Sequence, residues 1–366
     1  MTQEKQLLFS ETKFGLDFLK TQLKNESFVF SPLSVSFALA LVHSGAKGQS
    51  ATEIEKVLLD GVEREELVNY YSKLFKSLKT TENGTEVNVA NRVYLRENVE
   101  INSSYLADVQ QSYEAGAELL DFQSTDSAEK INAFIRSATQ GNLDNLVTSD
   151  SISDAVALLV NAIYFQGKWQ DDFDSQMTMD KDFTTVSGEV KQIPFLAETM
   201  TDRLYTSDDT FRVLIQNYKD PEYRFAIFLP KVFNGLGDAL QKLDAERFQT
   251  LLKKAERTYM DIEFPKFTVE KELQLKDVLH TLGVTEIFSD QADLSGVAEG
   301  IKVSDGIHKA LIDVNEEGTT ASAATVFKVY PMCGRMADPI EFKANHPFLF
   351  ALVKDDHPLF LGVFHG

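Results

Sequence analysis

Apolar residues recur at helical spacing over several stretches of the chain. Residues 5–24 form an amphipathic pattern with its large apolar side chains on one side. Residues 28–48 are apolar nearly all round, which predicts a buried helix, and Ser31 before Pro32 is a favourable helix start. Further helices are predicted over 50–59, 63–78, 102–115, 126–139, 234–256 and 271–282.

Other stretches alternate with a period of two or form long apolar runs, as strands do. The run AVALLVNAIYFQGKW (155–169) is apolar on both faces, so we expect a strand covered on both sides, with Asn161 in its middle. Helices and strands come in uneven runs, which predicts one α+β domain over residues 1–366 with large, mostly antiparallel sheets. The other strand patterns cover 86–95, 183–195, 201–229, 259–270, 301–318 and 346–364, the last as a hairpin.

The stretch from 313 to 347 fits two patterns at once. Its small residues at 319–325 and its turn residues near Pro331 predict a mobile loop. Residues 319–330 nevertheless alternate like a strand, with a small apolar face and an opposite face that carries Lys328. The residues by themselves leave both interpretations open.

Composition narrows the classes of partner and compartment. The 366 residues carry a formal net charge of −20, which repels nucleic acid and anionic membrane surfaces. No run approaches the ~18 apolar residues of a membrane span. Cys333 is the single cysteine, and the N-terminus lacks the pattern of a signal peptide, so we expect a cytoplasmic protein. Glycosylation triplets at Asn25, Asn83 and Asn102 are idle without an export signal, and unconventional release is the open alternative.

Catalytic signatures are weak. The sequence contains no G-x-S-x-G elbow, H-E-x-x-H pair or Walker loop. The segment GLGDAL (235–240) resembles half a dinucleotide fingerprint, but Leu240 stands where close packing needs a small residue. Cys333 and His346 are a nucleophile and base without a third group to orient them. We therefore expect neither an enzyme nor a bound cofactor or metal.

Several long motifs, in family order, resemble the serpin family over nearly the whole chain. They read FVFSPLSVSFALALVHSGAKGQSATEI, INAFIRSATQGNLDNLV, LVNAIYFQGKW, FPKF, LKDVLHTLGVTEIFSDQADLSG, HKALIDVNEEGTTASAAT and FKANHPFLF. The pattern is similar to intracellular members and to invertebrate, nematode-like inhibitory members. The resemblance implies an α+β serpin fold, with three β-sheets, about eight or nine helices and an exposed reactive centre loop at about 316–341.

The resemblance also implies a mechanism in which a protease attacks the loop as a substrate. After acylation, the N-terminal part of the loop inserts as a new central strand of the largest sheet, and the attached protease is distorted. The native fold is then metastable and is preserved kinetically. Side chains that lead the insertion must be small, as they are in the hinge of this chain. The hinge consists of Glu316, Glu317, Gly318, Thr319, Thr320, Ala321, Ser322, Ala323, Ala324 and Thr325.

The bait bond follows from the spacing that the resemblance implies. In the family, the residue before the cleaved bond stands about seventeen positions along from the hinge glutamate. With Glu316 counted as the first, the seventeenth residue is Met332, and Cys333 follows it. An unbranched apolar Met suits a chymotrypsin-like or elastase-like pocket. Arg335 is the rival, at which a trypsin-like enzyme would cut, because the segment beyond Met332 is a few residues longer than is typical.

Other positions match structural parts of the family. The shutter, a polar network under the sheet where its strands part, matches Ser31, Ser34, Asn161 and His308. The breach, where insertion begins, matches Trp169, Lys266 and Glu316. Ordinary packing and surface charge are the alternative explanations for these residues.

The leading hypothesis is a monomeric inhibitor that traps a serine protease of the chymotrypsin, cathepsin G or elastase class, with a cathepsin-type cysteine protease as a further target. A non-inhibitory serpin that acts as a carrier or chaperone is the alternative, and a cysteine hydrolase is the third hypothesis. The mixed charges of the 63–79 helix disfavour glycosaminoglycan as a partner.

Overall fold

The computed structural model describes residues 3–59, 64–78, 84–113, 115–319 and 338–366. The α-helices of this part are α1 (Gln3–Thr21), α2 (Pro32–Gly45), α3 (Gly48–Leu58), α4 (Arg64–Leu78), α5 (Ser103–Tyr113), α6 (Thr125–Ala138), α7 (Ser149–Ile152), α8 (Leu236–Gln241), α9 (Ala245–Lys253) and α10 (Leu275–Thr281). The strands are β1 (Phe28–Phe30), β2 (Glu86–Arg96), β3 (Gly116–Leu120), β4 (Ala157–Lys168), β5 (Met179–Thr184), β6 (Val190–Ser207), β7 (Phe211–Asn217), β8 (Tyr223–Pro230), β9 (Glu256–Pro265), β10 (Phe267–Gln274), β11 (Asp305–Val314), β12 (Gly318–Thr319), β13 (Ile340–Lys343), β14 (Phe348–Lys354) and β15 (His357–Phe364).

The strands form two hydrogen-bonded sheets, and the predicted α+β class is confirmed. One sheet has six strands in the order β10-β11-β12-β4-β2-β3. The other has nine, in the order β1-β15-β14-β8-β7-β6-β9-β13, with β5 paired to β6. The resemblance implied three sheets. Two of them are continuous here because the 18-residue strand β6 pairs with β5 near its start and with β7 near its end.

The buried helix α2 begins where the sequence predicts it. The side chain of Ser31 accepts a hydrogen bond from the backbone N–H of Ser34, and Pro32 occupies the first turn. The helix ends at Gly45, where an added Cβ would lie 2.7 Å from the backbone nitrogen of Val297. The close approach of these two backbones explains why this position requires glycine.

Both faces of the six-stranded sheet are covered, as the apolar run at 155–169 predicts. On β4, Leu159 and Ile163 belong to the large core that α2 shares with the nine-stranded sheet. Their neighbours Leu158 and Val160 point the other way and pack in a smaller core with Ile131 of α6. Strand β4 is therefore buried between two layers, which isolates the polar Asn161 from water.

Several expectations for secondary structure differ from the structure. The predicted helix at 234–256 is two helices, because Asp244 caps a new start by accepting a hydrogen bond from the N–H of Arg247 at 2.8 Å. Residues 271–274 extend β10, since they pair with β11, so the helix begins only at Leu275. Strand β3 was missed, because its five residues are few for a period to be visible. Short α7 and α8 bring the described helices to ten, against about eight or nine expected.

The terminal hairpin forms as predicted. Strands β14 and β15 pair antiparallel around Asp355 and Asp356. Both turn residues lie in the left-handed region, with φ of 47° and 74°. A two-residue turn with two positive φ angles matches the twist of the strands it joins, and aspartate tolerates this conformation better than most residues.

Candidate functional site

The candidate site lies in the middle of the six-stranded sheet, where β4 and β11 first pair and then separate. Residues 305–310 of β11 pair in parallel with residues 158–163 of β4. Beyond this segment the strands diverge, and β12 lies between them. Gly318 and Thr319 pair antiparallel with Lys168 and Gly167 of β4, and Thr319 also pairs antiparallel with Val314 of β11. The start of the predicted reactive loop therefore already occupies the gap.

A tight turn brings the chain from β11 back into the gap. The N–H of Asn315 donates to the carbonyl of Gly318 at 2.9 Å, and its side-chain oxygen accepts from the N–H of Glu317 at 3.0 Å. Gly318 has a φ of 154°, and a Cβ there would overlap the carbonyl oxygen of Gly167 and lie 2.8 Å from Cα of Lys168. The close backbone contact explains the requirement for glycine at this position.

Trp169 anchors the turn. Its Nε1–H donates to the carbonyl of Asn315, and its backbone N–H donates to that of Glu317, each at 2.8 Å. The indole stacks on Tyr218 with ring centroids 4.5 Å apart. The hydroxyl of Tyr218 in turn hydrogen-bonds to the hydroxyl of Thr319 at 2.6 Å, and Thr319 is fully buried. These residues hold the first inward side chain of the loop at the top of the gap.

Lys266 and Glu316 form an ion pair at the same end, with 2.8 Å between Nζ and Oε2. Thr178 donates its hydroxyl to the other carboxylate oxygen at 2.9 Å. Burial by itself raises the pKa of Glu316, but the hydrogen bonds from Lys266 and Thr178 outweigh it and hold this pKa below its usual value. Glu316 is therefore charged at neutral pH. The structure thus brings together the three residues predicted for the breach.

A buried polar network lies below the gap, where β4 and β11 pair directly. Asn161 of β4 and His308 of β11 are register partners, and Nδ1 of His308 hydrogen-bonds to Oδ1 of Asn161. Nδ2 of Asn161 lies 2.8 Å from the carbonyl and 2.6 Å from the hydroxyl oxygen of Ser34. The N–H of Ser31 donates to Nε2 of His308 at 3.0 Å. The four residues predicted for the shutter thus form one network.

The hydrogen bonds determine the protonation state of His308. Because Nε2 accepts from Ser31, the single ring proton is on Nδ1, from which it is donated to Asn161. Burial lowers the pKa of His308 to about 3, since a charged ring has no water around it and no carboxylate beside it. The ring is neutral at physiological pH, and a second proton would point directly at the N–H of Ser31.

Four contributors to the site were missed from the sequence. Asn91 of β2 is in register with Asn161 and hydrogen-bonds to its side chain, so polar residues cross three neighbouring strands. Its place in the alternating strand at 86–95 was a visible signal, since an apolar residue is usual there. Tyr218, Asn315 and Thr178 carried no such signal, because only the fold brings them to the gap.

Several predicted residues lie outside the part of the chain that the structure describes. They are the hinge residues Thr320, Ala321, Ser322, Ala323, Ala324 and Thr325, the bait residues Met332 and Cys333, and the rival Arg335. The predicted reactive loop is described again from residue 338, and its last two residues begin strand β13, which pairs in parallel with β9. His346, the candidate base for Cys333 in the sequence, is buried beside the ring of Phe233, and burial lowers its pKa to about 4.

The class of protein that this geometry defines is an α+β protein in which a loop enters the gap between two central strands. A family model described as Serpin (serine protease inhibitor) matches residues 10–365. The chain belongs to the serpin family. Among the described residues, no helix has the length and apolar character needed to cross a membrane.

Named relatives agree with the family match. Alpha-1-antiproteinase S of Cavia porcellus is 34% identical, over 93% of this chain and 85% of its own length. Antichymotrypsin-2 of Bombyx mori is 33% identical, over 93% and 92%. The solved structure of Serpin48, a highly specific serpin of the insect Tenebrio molitor, has a TM-score of 0.90 at 28% identity and covers 100% of this chain and 99% of that one. Such relatives are named as inhibitors and not as enzymes, as the sequence predicted.

We expect replacement of His308 to change how stability depends on pH. In the wild type, the unfolded chain binds a proton near pH 6.5, whereas the folded chain resists protonation to about pH 3. As the pH falls through this window, His308 therefore lowers the free energy of unfolding, by up to about 1.4 kcal/mol per pH unit. His308→Gln removes this contribution, so its urea midpoint should vary less between pH 6.5 and 4.5. The exposed His280→Gln is the control, and parallel midpoint curves for wild type and His308→Gln would contradict the assignment.

We expect Gly318→Ala to expel β12 from the gap, because the added Cβ has no space beside Gly167. Trp169, the single tryptophan, lies on this turn and reports the change directly. Its fluorescence maximum should shift to longer wavelength. The indole should also become more accessible to a soluble quencher. Gly237→Ala is the matched control, since a Cβ there meets nothing within 4 Å. Identical spectra for wild type and Gly318→Ala would show that the close contact is absent in solution.

Proposed function

We propose that the protein is an inhibitory serpin that traps a chymotrypsin-like serine protease by a covalent suicide-substrate mechanism. The observation that carries the proposal is the pairing around the gap. Strands β4 and β11 pair with each other in parallel, whereas β12 runs antiparallel to both. An extension of β12 would replace one parallel ladder by two antiparallel ladders. More backbone hydrogen bonds, in a slightly more stable geometry, make insertion downhill.

The hinge of this chain is suited to such an extension. Gly318 and Thr319 are buried in the gap, and the residues that follow, 320–325, are small. A small inward side chain passes between two packed layers without displacing them, whereas a large or charged one does not. We assign the hinge role to residues 316–325, within a reactive loop at about 316–341 of a single domain spanning 1–366.

The buried polar network is the proposed gate. Insertion must separate Asn161 from His308, because they face each other across the seam that opens. Leaving a buried polar group without a partner costs about 1–3 kcal/mol, so the network opposes spontaneous opening. An inserted strand restores backbone partners on both sides after the seam has opened. We assign this shutter role to Ser31, Ser34, Asn161 and His308, and the breach role to Trp169, Lys266 and Glu316.

The proposed bait bond is Met332–Cys333, and a cut after Arg335 by a trypsin-like enzyme is the alternative. The apolar side chain of Met332 supports a target of the chymotrypsin, cathepsin G or elastase class, with a cathepsin-type cysteine protease as a further target. The net charge of −20 favours a basic protease surface over polyanions such as nucleic acid or glycosaminoglycan. We further propose that the protein acts as a monomer in the cytoplasm, as the sequence predicts.

Incubation with chymotrypsin tests the bait assignment. We expect a complex that survives SDS. We also expect a released C-terminal fragment whose mass is that of the chain from Cys333 onwards. Met332→Ala should reduce the association rate with chymotrypsin at least tenfold, because the specificity pocket loses its apolar occupant. Arg335→Ala is the control and should leave the rate unchanged. A fragment that begins at Met336 would move the bait bond to Arg335.

We expect Thr319→Arg to convert the inhibitor into a substrate. The buried position of Thr319 under Tyr218 has no room or partner for a guanidinium, so insertion slows while acylation is unaffected. Chymotrypsin should then cleave the variant with little covalent complex. Thr268→Arg, on the exposed face of β10, is the matched control. An undiminished yield of complex from Thr319→Arg would refute the insertion path.

The alternative is a non-inhibitory serpin that binds a carried molecule or acts as a chaperone. It predicts cleavage of the loop without any SDS-stable complex and without a rise in melting temperature. The inhibitory proposal predicts a large rise, because the inserted strand completes the sheet. Calorimetry before and after limited cleavage of the loop therefore separates the two functions.

A further inference from the structure

A groove of about 720 Å³ lies between α1, α4 and the turn of the terminal hairpin. None of its lining residues belongs to the gap or to the buried polar network. This volume is within the range of pockets that hold small organic molecules. Leu7 and Leu8 of α1 and Leu74 of α4 supply an apolar wall. Tyr70 and His357 also line it and supply polar groups. No role proposed above involves this groove.

The polar groups of the groove are held by a carboxylate behind them. Glu11 of α1 is fully buried. Its Oε2 lies 2.9 Å from the hydroxyl of Tyr70 and 2.9 Å from Nδ1 of His357. Its Oε1 is buried without a hydrogen-bond partner in the described structure. A buried carboxylate that is only half satisfied makes this end of the groove electronegative.

The contact with Glu11 also fixes the orientation of His357. A carboxylate accepts hydrogen bonds, so Nδ1 of His357 carries a proton and donates it. Nε2, the other ring nitrogen, has no described protein partner, and the ring lines the groove. In the neutral ring, Nε2 is an acceptor. A ligand that donates an N–H would complete the hydrogen bonding of the ring.

The charges around the groove favour a positively charged ligand. Its lining contains three carboxylates, Glu4, Glu66 and Asp355, against two ammonium groups, Lys5 and Lys73. Glu11 adds a fourth negative charge behind the lining, and the whole chain carries −20. The ring of Tyr70 offers a face that attracts cations. An anionic ligand of the same shape would face repulsion from each of these carboxylates.

We propose that this groove binds a small organic cation, an alkyl- or arylammonium, whose N–H donates to Nε2 of His357 and whose apolar body lies on the leucine wall. The inference does not depend on protease inhibition, since the groove is built from different residues. The groups that surround His357 are Glu11 of α1, Tyr70 of α4, and Asp355 and Asp356 of the turn. Burial lowers the pKa of His357, but the charge of Glu11 outweighs it and the pKa is raised.

This protonation equilibrium makes the proposal sharply testable. The proposed ligand binds the neutral ring, so a proton on Nε2 must leave for solvent when the ammonium binds. Binding should therefore release protons and strengthen as the pH rises from 6 to 8. An anionic ligand would instead bind the imidazolium, take up protons and weaken over the same range.

The experiment is isothermal titration calorimetry of the full chain with phenethylamine, in two buffers of different ionisation enthalpy. Phenylethanol and phenylacetate are the neutral and anionic probes of similar shape. We expect phenethylamine to bind at least tenfold more tightly than either, with proton release. His357→Gln should weaken it about tenfold, and His280→Gln should have no effect. Asp355→Asn, an exposed change that the left-handed turn tolerates, should weaken it about threefold and does not disturb the core.

Three outcomes would overturn the proposal. One is the absence of binding heat at millimolar phenethylamine. Another is equal or tighter binding of phenylacetate, accompanied by proton uptake. The third is wild-type affinity in both His357→Gln and Asp355→Asn. A failure to form the chymotrypsin complex would bear only on the inhibitory function, so the two proposals fail independently.

Discussion

The side-chain pair of Asn161 and His308 is the interaction on which the central sheet depends. It joins the two strands that must separate if the sheet is to accept another, and it lies where water does not reach. Ser31 and Ser34 at the start of α2 complete the hydrogen bonds of both side chains. The helix under the sheet is thereby coupled to the seam within it, since opening the seam breaks contacts with both.

Strands β4 and β11 are separated by β12 at one end and pair directly with each other at the other. At the gap, small residues and aromatic rings guide backbone into place, and Gly318 allows a backbone contact that no other residue permits. Below it, the strands pair directly and share the hydrogen bond between Asn161 and His308. The backbone of β12 thus occupies the gap, while below it a buried polar network joins the two strands.

A second buried polar cluster, centred on the carboxylate of Glu11, lies at the groove between α1, α4 and the terminal hairpin. There Glu11 ties three elements together through Tyr70 and His357, but its hydrogen bonding is left incomplete. The network around His308 is the contrasting case, in which the histidine is neutral and both ring nitrogens have protein partners. The two histidines therefore differ in that His308 has protein partners on both ring nitrogens, whereas in the described structure His357 has them on Nδ1 alone.

The sequence by itself determined the α+β class, the capped start of α2, the burial of β4 on both faces and the terminal hairpin, because each follows from local periodicity or turn chemistry. It also singled out Asn161 and His308, since a polar residue inside an apolar strand needs a partner. The family resemblance grouped them with Ser31 and Ser34, and the tertiary structure decided which atoms are bonded and which further residues take part. Asn91 reaches the buried network through strand register, and the fold brings Tyr218 and Asn315 to the gap. The groove arises where residues 11, 70 and 357 meet. Contacts between distant parts of the chain depend on how whole elements pack, and no local pattern encodes that packing.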